Sequence, residues 1–284
     1  MTSRSIPGIL LVAVVLFSGT AVAQDRQLDE IVTQQLFEQY VARNGKINSE
    51  SVRAATHLVA ERGRGTGFWK HVLAELKRNN QPSEIGCVRV LGKMLAMDAS
   101  ARNSIRRQKE TGEVSTMMQA VYLGPEVVTE LLERGRQADR HRIDHYTIAL
   151  ARAQVPQARD FFKSVLRATK APVINPVRAQ AADSAPTGPY HSESTRFHAA
   201  VGLAQLGDSE GIAWLIANCE FGQGTVTNAR PQGSRPGNLS ACCLEALRHL
   251  SGENSRTSKA EWESWSKSVD KKRLLDHGVG LGDP

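Results

Sequence analysis

Residues 194–218 read STRFHAAVGLAQLGDSEGIAWLIAN, and they carry the clearest structural pattern of the chain. Apolar and small residues recur every three or four positions on either side of Gly207, as they do on one face of an α-helix. The first set is Phe197, Ala200, Val201 and Ala204, and the second is Ile212, Leu215, Ile216 and Cys219. Gly207 suits the end of a helix and Asp208 suits the cap of the next one. The stretch therefore predicts a hairpin of two short amphipathic helices joined by a tight turn.

The same pattern recurs elsewhere in the chain. A constant shift of 53 positions places residues 146–166 over residues 199–218, with Leu150 over Leu203. The other matched pairs are Ala151 with Ala204, Phe161 with Trp214 and Phe162 with Leu215. Residues 244–252 are a third copy, and no sustained two-residue alternation predicts a strand in the mature chain. Self-similarity at a fixed period is typical of stacked helical repeats.

The last predicted helix, residues 258–269, completes the third copy. Ser258 and Glu261 have the spacing of a capping box. Trp262 and Trp265 lie on the predicted inner stripe of this helix, so core packing explains them better than ligand stacking.

The chain resembles the HEAT-like α-solenoids, particularly the repeats of the bacterial phycobilisome-lyase type. The residues that carry the resemblance are Ala199, Ala200, Leu203, Leu206, Gly207, Asp208, Ile212, Leu215 and Ile216. The resemblance implies an all-α fold, a right-handed superhelical α-solenoid of stacked helical hairpins. That repeat domain is expected over residues 24–272, most clearly over 146–269, with a flexible tail at 273–284. The shift of 53 exceeds the usual repeat of about 40–47 residues because two insertions lengthen it.

The first half of the chain gives weaker repeat signals. Residues 63–67, GRGTG, predict a break between helices, because glycine disfavours a helix interior. A helix is predicted over residues 83–97, and a separate basic segment follows at residues 101–109.

Residues 1–23 are predicted to be a cleaved secretory signal. Arg4 supplies the positive charge, residues 9–17 the apolar run and Ala21-Val22-Ala23 the cleavage site. The apolar run is shorter than the roughly 20 residues that span a membrane. We therefore expect a periplasmic or secreted protein with no transmembrane segment after cleavage.

The formal net charge is +7, but the lysines and arginines are scattered and no nucleic-acid motif accompanies them. We therefore expect no nucleic-acid partner. One local basic patch consists of Arg102, Arg106, Arg107 and Lys109. It is interpreted mainly as a solvated face, with an anionic envelope polymer as the weaker alternative.

Two insertions rich in Pro, Gly and polar residues cover residues 169–192 and 221–238. Each follows the second helix of a predicted hairpin, so stacking would place both on one rim. Insertions on one face of a repeat protein often form its binding face, although tolerated surface insertions explain them equally well. The candidate partner-binding residues in them are Asn175, Arg178, Tyr190, His191, Arg230 and Arg235.

The four cysteines are consistent with two states. Cys87, Cys219 and Cys243 each lie on an apolar helical face, which predicts buried free thiols. Because exported proteins meet oxidising conditions, a disulfide from Cys219 to Cys242 or Cys243 is the alternative.

The motifs with catalytic or metal-binding potential are weak. Residues 207–211 match Gly-x-Ser-x-Gly, but a nucleophile elbow needs a preceding strand and here a helix is predicted. His141 and His145 could share a helical face, yet a metal site needs further ligands. HEAT-like enzymes that bind paired iron present His-Glu dipeptides, and none of the eight histidines is followed by Glu.

From the sequence we expect no catalytic centre, no cofactor and no metal. The function predicted is an exported, non-catalytic scaffold that binds another, unidentified protein. The alternative is a subunit or lyase-like accessory protein that binds a small ligand or metal.

Overall fold

A computed structural model of the chain describes residues 30–42, 50–78, 81–111, 123–168, 191–219, 239–252 and 254–269. All regular structure in these ranges is helical, so the predicted all-α class is confirmed. The helices are α1 (30–42, with Phe37–Ala42 π-helical), α2 (Glu50–Thr66), α3 (Trp69–Lys77), α4 (Gln81–Thr111), α5 (Pro125–Gln137), α6 (Ile143–Ala153), α7 (Arg159–Arg167), α8 (Glu193–Gln205), α9 (Ser209–Ala217), α10 (Leu239–Ser251) and α11 (Lys259–Ser268). Within these ranges, none of the helices combines the length and apolar character that crossing a bilayer requires.

The chain divides into two compact units, Met1–Val90 and Leu91–Pro284. In the first unit α1 packs against α2, and the ring of Phe37 meets the edge of Phe68 at 5.7 Å between centroids. The predicted break over residues 63–67 is confined to its last residue, because α2 continues to Thr66 and the chain turns at Gly67, where φ is +80°.

The long helix α4 differs from the prediction. It is continuous over Gln81–Thr111, whereas the sequence predicted a helix that ends near residue 97 and a separate basic segment. No Gly or Pro interrupts residues 93–111, and Ala99 and Ala101 are buried, so helical packing continues past the expected end. Asp98 accepts a hydrogen bond from the backbone N–H of Leu123 at 2.9 Å, which fixes the chain beyond this helix.

In the second unit, the helices of the three predicted hairpins follow one another along the chain as α6 and α7, α8 and α9, and α10 and α11, and α8 packs directly on α9. Helix α8 packs against α6, α7, α9 and α10. The first helix of each hairpin is followed by a residue with positive φ: Gln154 at 50°, Gly207 at 70° and Gly252 at 69°. Each predicted hairpin therefore has one left-handed residue within two positions of the end of its first helix, and the connections that follow differ in length.

Close backbone approach explains two glycines of the middle hairpin. A Cβ on Gly211 in α9 would lie 2.5 Å from the carbonyl oxygen of Ala200 and 2.6 Å from the backbone nitrogen of Ala204, both in α8. A Cβ on Gly202 would lie 2.7 Å from the ring of Phe162 in α7. Because no side chain fits there, these glycines set how closely α8 packs against α7 and α9.

The leucines at the same place in the three sequence copies lie in the core. They are Leu150, Leu203 and, within residues 244–252, Leu247, and all three are fully buried. Phe161 and Trp214 differ: Phe161 is buried, whereas Trp214 is half-buried under the guanidinium of Arg196, 6.0 Å from the ring centroid.

The predicted features of α11 are confirmed. Ser258 and Glu261 form the capping box. Trp262 and Trp265 are buried and meet edge to face at 5.4 Å between centroids, and Arg256 lies over both rings. These side chains are therefore part of the core of the last hairpin.

Candidate functional site

A polar cluster forms where α6 and α8 begin side by side. We call Asp144, His191, Ser194, Thr195 and Arg196, together with His198 in the next turn of α8, the junction cluster. Asp144 lies in the first turn of α6, and its carboxylate accepts hydrogen bonds from Thr195 and, at 3.5 Å, from Ser194 Oγ. Ser192 caps α8 by accepting from the N–H of Thr195 at 3.0 Å. These bonds hold the starts of the two helices together.

Arg196 extends the cluster to the preceding helix. Its Nη2 donates to the carbonyl oxygen of Leu166, in the last turn of α7, at 3.0 Å. The terminal carbonyls of a helix have no partner within the helix. Arg196 therefore satisfies one end of α7, next to the point at which the chain leaves this hairpin.

Burial shifts the acid–base behaviour of the cluster. It raises the pKa of Asp144, and the hydrogen bonds from Thr195 and Ser194 offset only part of that effect. Burial, together with Arg196, lowers the pKa of His191. Burial and the charge of Arg152 lower the pKa of His198 to about 3. Both histidines are therefore neutral at pH 7.

The junction cluster has hydrogen-bonding capacity that the described residues do not use. Four buried polar atoms lack a partner among them: Asp144 Oδ1, His191 Nδ1, Arg196 Nε and His198 Nδ1. Buried polar atoms of folded proteins are nearly always satisfied, so such a group in one place indicates a contact with other residues, water or a ligand.

The opposite ends of the helices, at the turns, carry interactions between hairpins. Arg159 in α7 donates to the carbonyl oxygen of Leu206 at 3.1 Å. Lys163 forms an ion pair with Asp208, which also caps α9 by accepting from the N–H of Glu210. Each of these charged side chains bonds to a group in a neighbouring helix or turn. We therefore assign a structural role to the end of the helices that carries the turns.

The structure describes the side chain of only one residue of the predicted basic patch, Arg102. Arg102 Nη2 donates to the carbonyl oxygen of Ala153 at 3.0 Å, and Asn103 donates to the Gln154 side chain. Arg102 therefore contributes to packing of α4 on the end of α6. The side chains of Arg106, Arg107 and Lys109 lie outside the described residues.

Of the predicted partner-binding residues, the structure describes one. His191 is half-buried in the junction cluster. Asn175, Arg178, Tyr190, Arg230 and Arg235 lie outside the described residues, as do the predicted signal sequence and the C-terminal tail.

The Gly-x-Ser-x-Gly motif is the turn between α8 and α9, as its helical context predicted. Gly207 ends the turn after α8, Ser209 starts α9 on an exposed position, and Gly211 packs against α8. No strand precedes the serine, because residues 193–205 are helical.

No metal-binding geometry is present in the described ranges, where no group of three or more His, Cys, Asp or Glu side chains could hold an ion. His141 is exposed and His145 is half-buried.

The cysteines are thiols in this structure, and they are not equivalent. Cys87 and Cys243 are buried, whereas Cys219 and Cys242 are half-buried. Cys219 and Cys243 form a side-chain hydrogen bond with each other.

The sequence did not identify Asp144, Thr195 and His198 as one site. In the sequence, Asp144 stands directly before His145, one of the two histidines considered as metal ligands. The position of Asp144 directly after the core residue Ile143 indicates partial burial of its carboxylate. Its contact with Thr195, however, arises only from the packing of α6 on α8.

Comparison of the chain with protein-family models, with curated proteins and with solved structures finds no match.

Proposed function

We propose that this protein is an exported, non-catalytic scaffold that binds another protein through a solenoid of HEAT-like repeats. In this proposal the signal sequence is removed and the chain works in the periplasm or outside the cell. The repeats stack as a right-handed superhelix of helical hairpins. The support is the recurrence of one turn conformation at Gln154, Gly207 and Gly252, together with the packing of α8 on both neighbouring hairpins.

The observation that carries the binding role is the junction cluster. Its four buried polar atoms have no partner among the described residues, and His191 adjoins the connection from α7 to α8. Because these four atoms are themselves inaccessible, the partner engages the exposed residues beside them, such as Ser192 and Glu193. The partner surface proposed is this cluster with the two predicted insertions, residues 169–192 and 221–238.

Site-specific photo-crosslinking in the producing cell tests the proposal. A photoreactive amino acid replaces Glu193, which is exposed beside the junction cluster. The matched control replaces Gln157, which is exposed at the opposite end of a hairpin. We expect a discrete protein adduct from position 193 only. Equal adducts at both positions, or none at either, would contradict the proposed surface.

A second variant tests the segment between the hairpins. Replacement of residues 169–190 by a Gly-Ser linker should abolish the adduct from position 193, while far-ultraviolet circular dichroism keeps its helical signal. An unchanged adduct would exclude this segment from the partner surface.

The rival function is an accessory protein that binds a small ligand or metal, because neutral imidazoles and a buried carboxyl group also suit a small polar molecule. Native mass spectrometry and metal analysis of the purified chain distinguish the two. A stoichiometric small molecule or metal would favour the rival. An adduct lost at moderate salt and replaced by binding to an anionic polysaccharide would favour the envelope-polymer partner.

A further inference from the structure

Two thiols meet where α9 ends and α10 begins. Cys219 follows the last turn of α9, and its backbone N–H donates to the carbonyl oxygen of Ile216 at 3.4 Å. Cys243 lies near the start of α10 and is fully buried. The two helices pack against each other, and the two side chains hydrogen-bond directly.

The geometry of α10 separates Cys243 from its neighbour Cys242. Successive residues of an α-helix project about 100° apart, so the two thiols face different directions. Cys243 faces Cys219, whereas Cys242 lies near Glu245 on its own helix. Of the two disulfides that the sequence left open, the packing favours the one between Cys219 and Cys243.

We propose that Cys219 and Cys243 are a redox site that forms a disulfide by exchange with an external disulfide, joining the second helix of one hairpin to the first helix of the next. The inference rests on the contact between the two thiols, and it holds whether or not the junction cluster binds a protein.

The reaction has two steps. Cys219 loses its proton to solvent, its thiolate attacks one sulfur of the external disulfide R–S–S–R, and one R–S⁻ leaves. Cys243 then loses its proton, attacks Sγ of Cys219 and expels the second R–S⁻. The protein loses two protons and two electrons, and the external disulfide becomes two thiols.

Exposure sets the order of the steps. Cys219 is half-buried and can meet an external reagent, whereas Cys243 is fully buried and reaches Cys219 but not solvent. The hydrogen bond with Cys219, together with burial, raises the pKa of Cys243 well above its ordinary value. Cys243 therefore stays protonated until the mixed disulfide removes the negative charge from Cys219.

The experiment is oxidation of the reduced, purified chain with oxidised glutathione, followed by alkylation under denaturing conditions and mass spectrometry. We expect two alkylated cysteines instead of four, and, after digestion with a glutamate-specific protease that cuts after Glu220, a cross-link between the peptides that contain Cys219 and Cys243. Because the bond closes a loop, we also expect the oxidised chain to melt about 5 °C higher.

Three variants test which cysteines form the disulfide. Cys219→Ser and Cys243→Ser should lose the cross-link, and circular dichroism checks that each remains helical. Cys242→Ser is the matched control and should keep the cross-link. Four alkylated cysteines in the oxidised wild type, or a cross-link between Cys219 and Cys242, would overturn the assignment. A lower melting temperature on oxidation would also do so, because the native positions of the sulfurs would then not accommodate the bond.

Discussion

Lys163 Nζ lies 2.9 Å from Asp208 Oδ2, so the second helix of one hairpin is bonded to the turn of the next. Asp208 also caps α9 through the N–H of Glu210. Burial raises the pKa of Asp208, but the hydrogen bonds from Lys163 and Glu210 and the nearby cations outweigh it, so the net pKa is lowered. The carboxylate of Asp208 thus stabilises both the start of α9 and the contact between α7 and the turn before α9.

Asp208→Ala should lower the free energy of unfolding by about 1–2 kcal/mol at pH 7, because the cap and the ion pairs are lost together. Asp208→Asn keeps a capping oxygen and should lose less. The effect should fade as the pH falls below about 3.8, since the lowered pKa stabilises the fold only while the carboxylate is ionised. Denaturant unfolding at pH 7 and pH 3 measures it. An equal loss at both values would show that the charge is irrelevant.

Gly211→Ala should destabilise the protein by about 2–3 kcal/mol, because the added Cβ meets backbone atoms of α8 that cannot rotate away. Ser209→Ala, two residues earlier and exposed, should change stability by less than about 0.5 kcal/mol. Chemical denaturation of both variants checks this. A neutral Gly211→Ala would mean that α8 and α9 pack less closely than described.

Leu203→Asp should cost at least about 4 kcal/mol, because Leu203 is fully buried and the new carboxylate has no described partner there. Ala213→Asp places the same charge on the exposed face of α9 and should be tolerated. Thermal melting followed by circular dichroism distinguishes them. A cooperative transition at the wild-type temperature for Leu203→Asp would show that this face is misassigned.

Asp144→Asn should not lower the free energy of unfolding at pH 7. Burial raises the pKa of Asp144, so the folded state favours the protonated carboxyl and loses stability as the pH rises above about 3.8. The amide removes that loss and still accepts from Thr195.

Asp139→Asn is the matched comparison. Burial raises the pKa of Asp139, but hydrogen bonds from the N–H groups of His141 and Arg142 outweigh it and lower the pKa. Asp139→Asn should therefore destabilise at pH 7. The free energy of unfolding is measured against pH for the wild type and for each variant, and the variant's value is subtracted from that of the wild type. This difference should fall with rising pH for Asp144→Asn and rise for Asp139→Asn. A change in the same direction for both would contradict the assignment.

His198→Gln should reduce the amount by which the free energy of unfolding falls at acid pH. Because the pKa of His198 falls from 6.5 to about 3 on folding, the wild type should lose up to about 5 kcal/mol between those pH values through this group. The variant should lose less over the same range. His141→Gln, on an exposed position, serves as the control, and equal acid unfolding of all three proteins would exclude His198 as the cause.

Local periodicity accounts for the features that were predicted correctly. Helix α8, the turn at Gly207, the cap at Asp208 and the capping box of α11 depend on residues within a few positions of each other. The continuity of α4 was missed, because its end depends on contacts that bury Ala99 and Ala101 rather than on a local stop signal.

The all-α class and most of the buried helical faces could be read from the chain alone, because a helical face can be counted along it. Which polar groups meet depends on tertiary packing. The contact of Asp144 with Thr195 joins residues about 50 positions apart, and that of Cys219 with Cys243 joins two helices. Such contacts depend on the angle and depth at which helices pack, and no spacing within one helix encodes them.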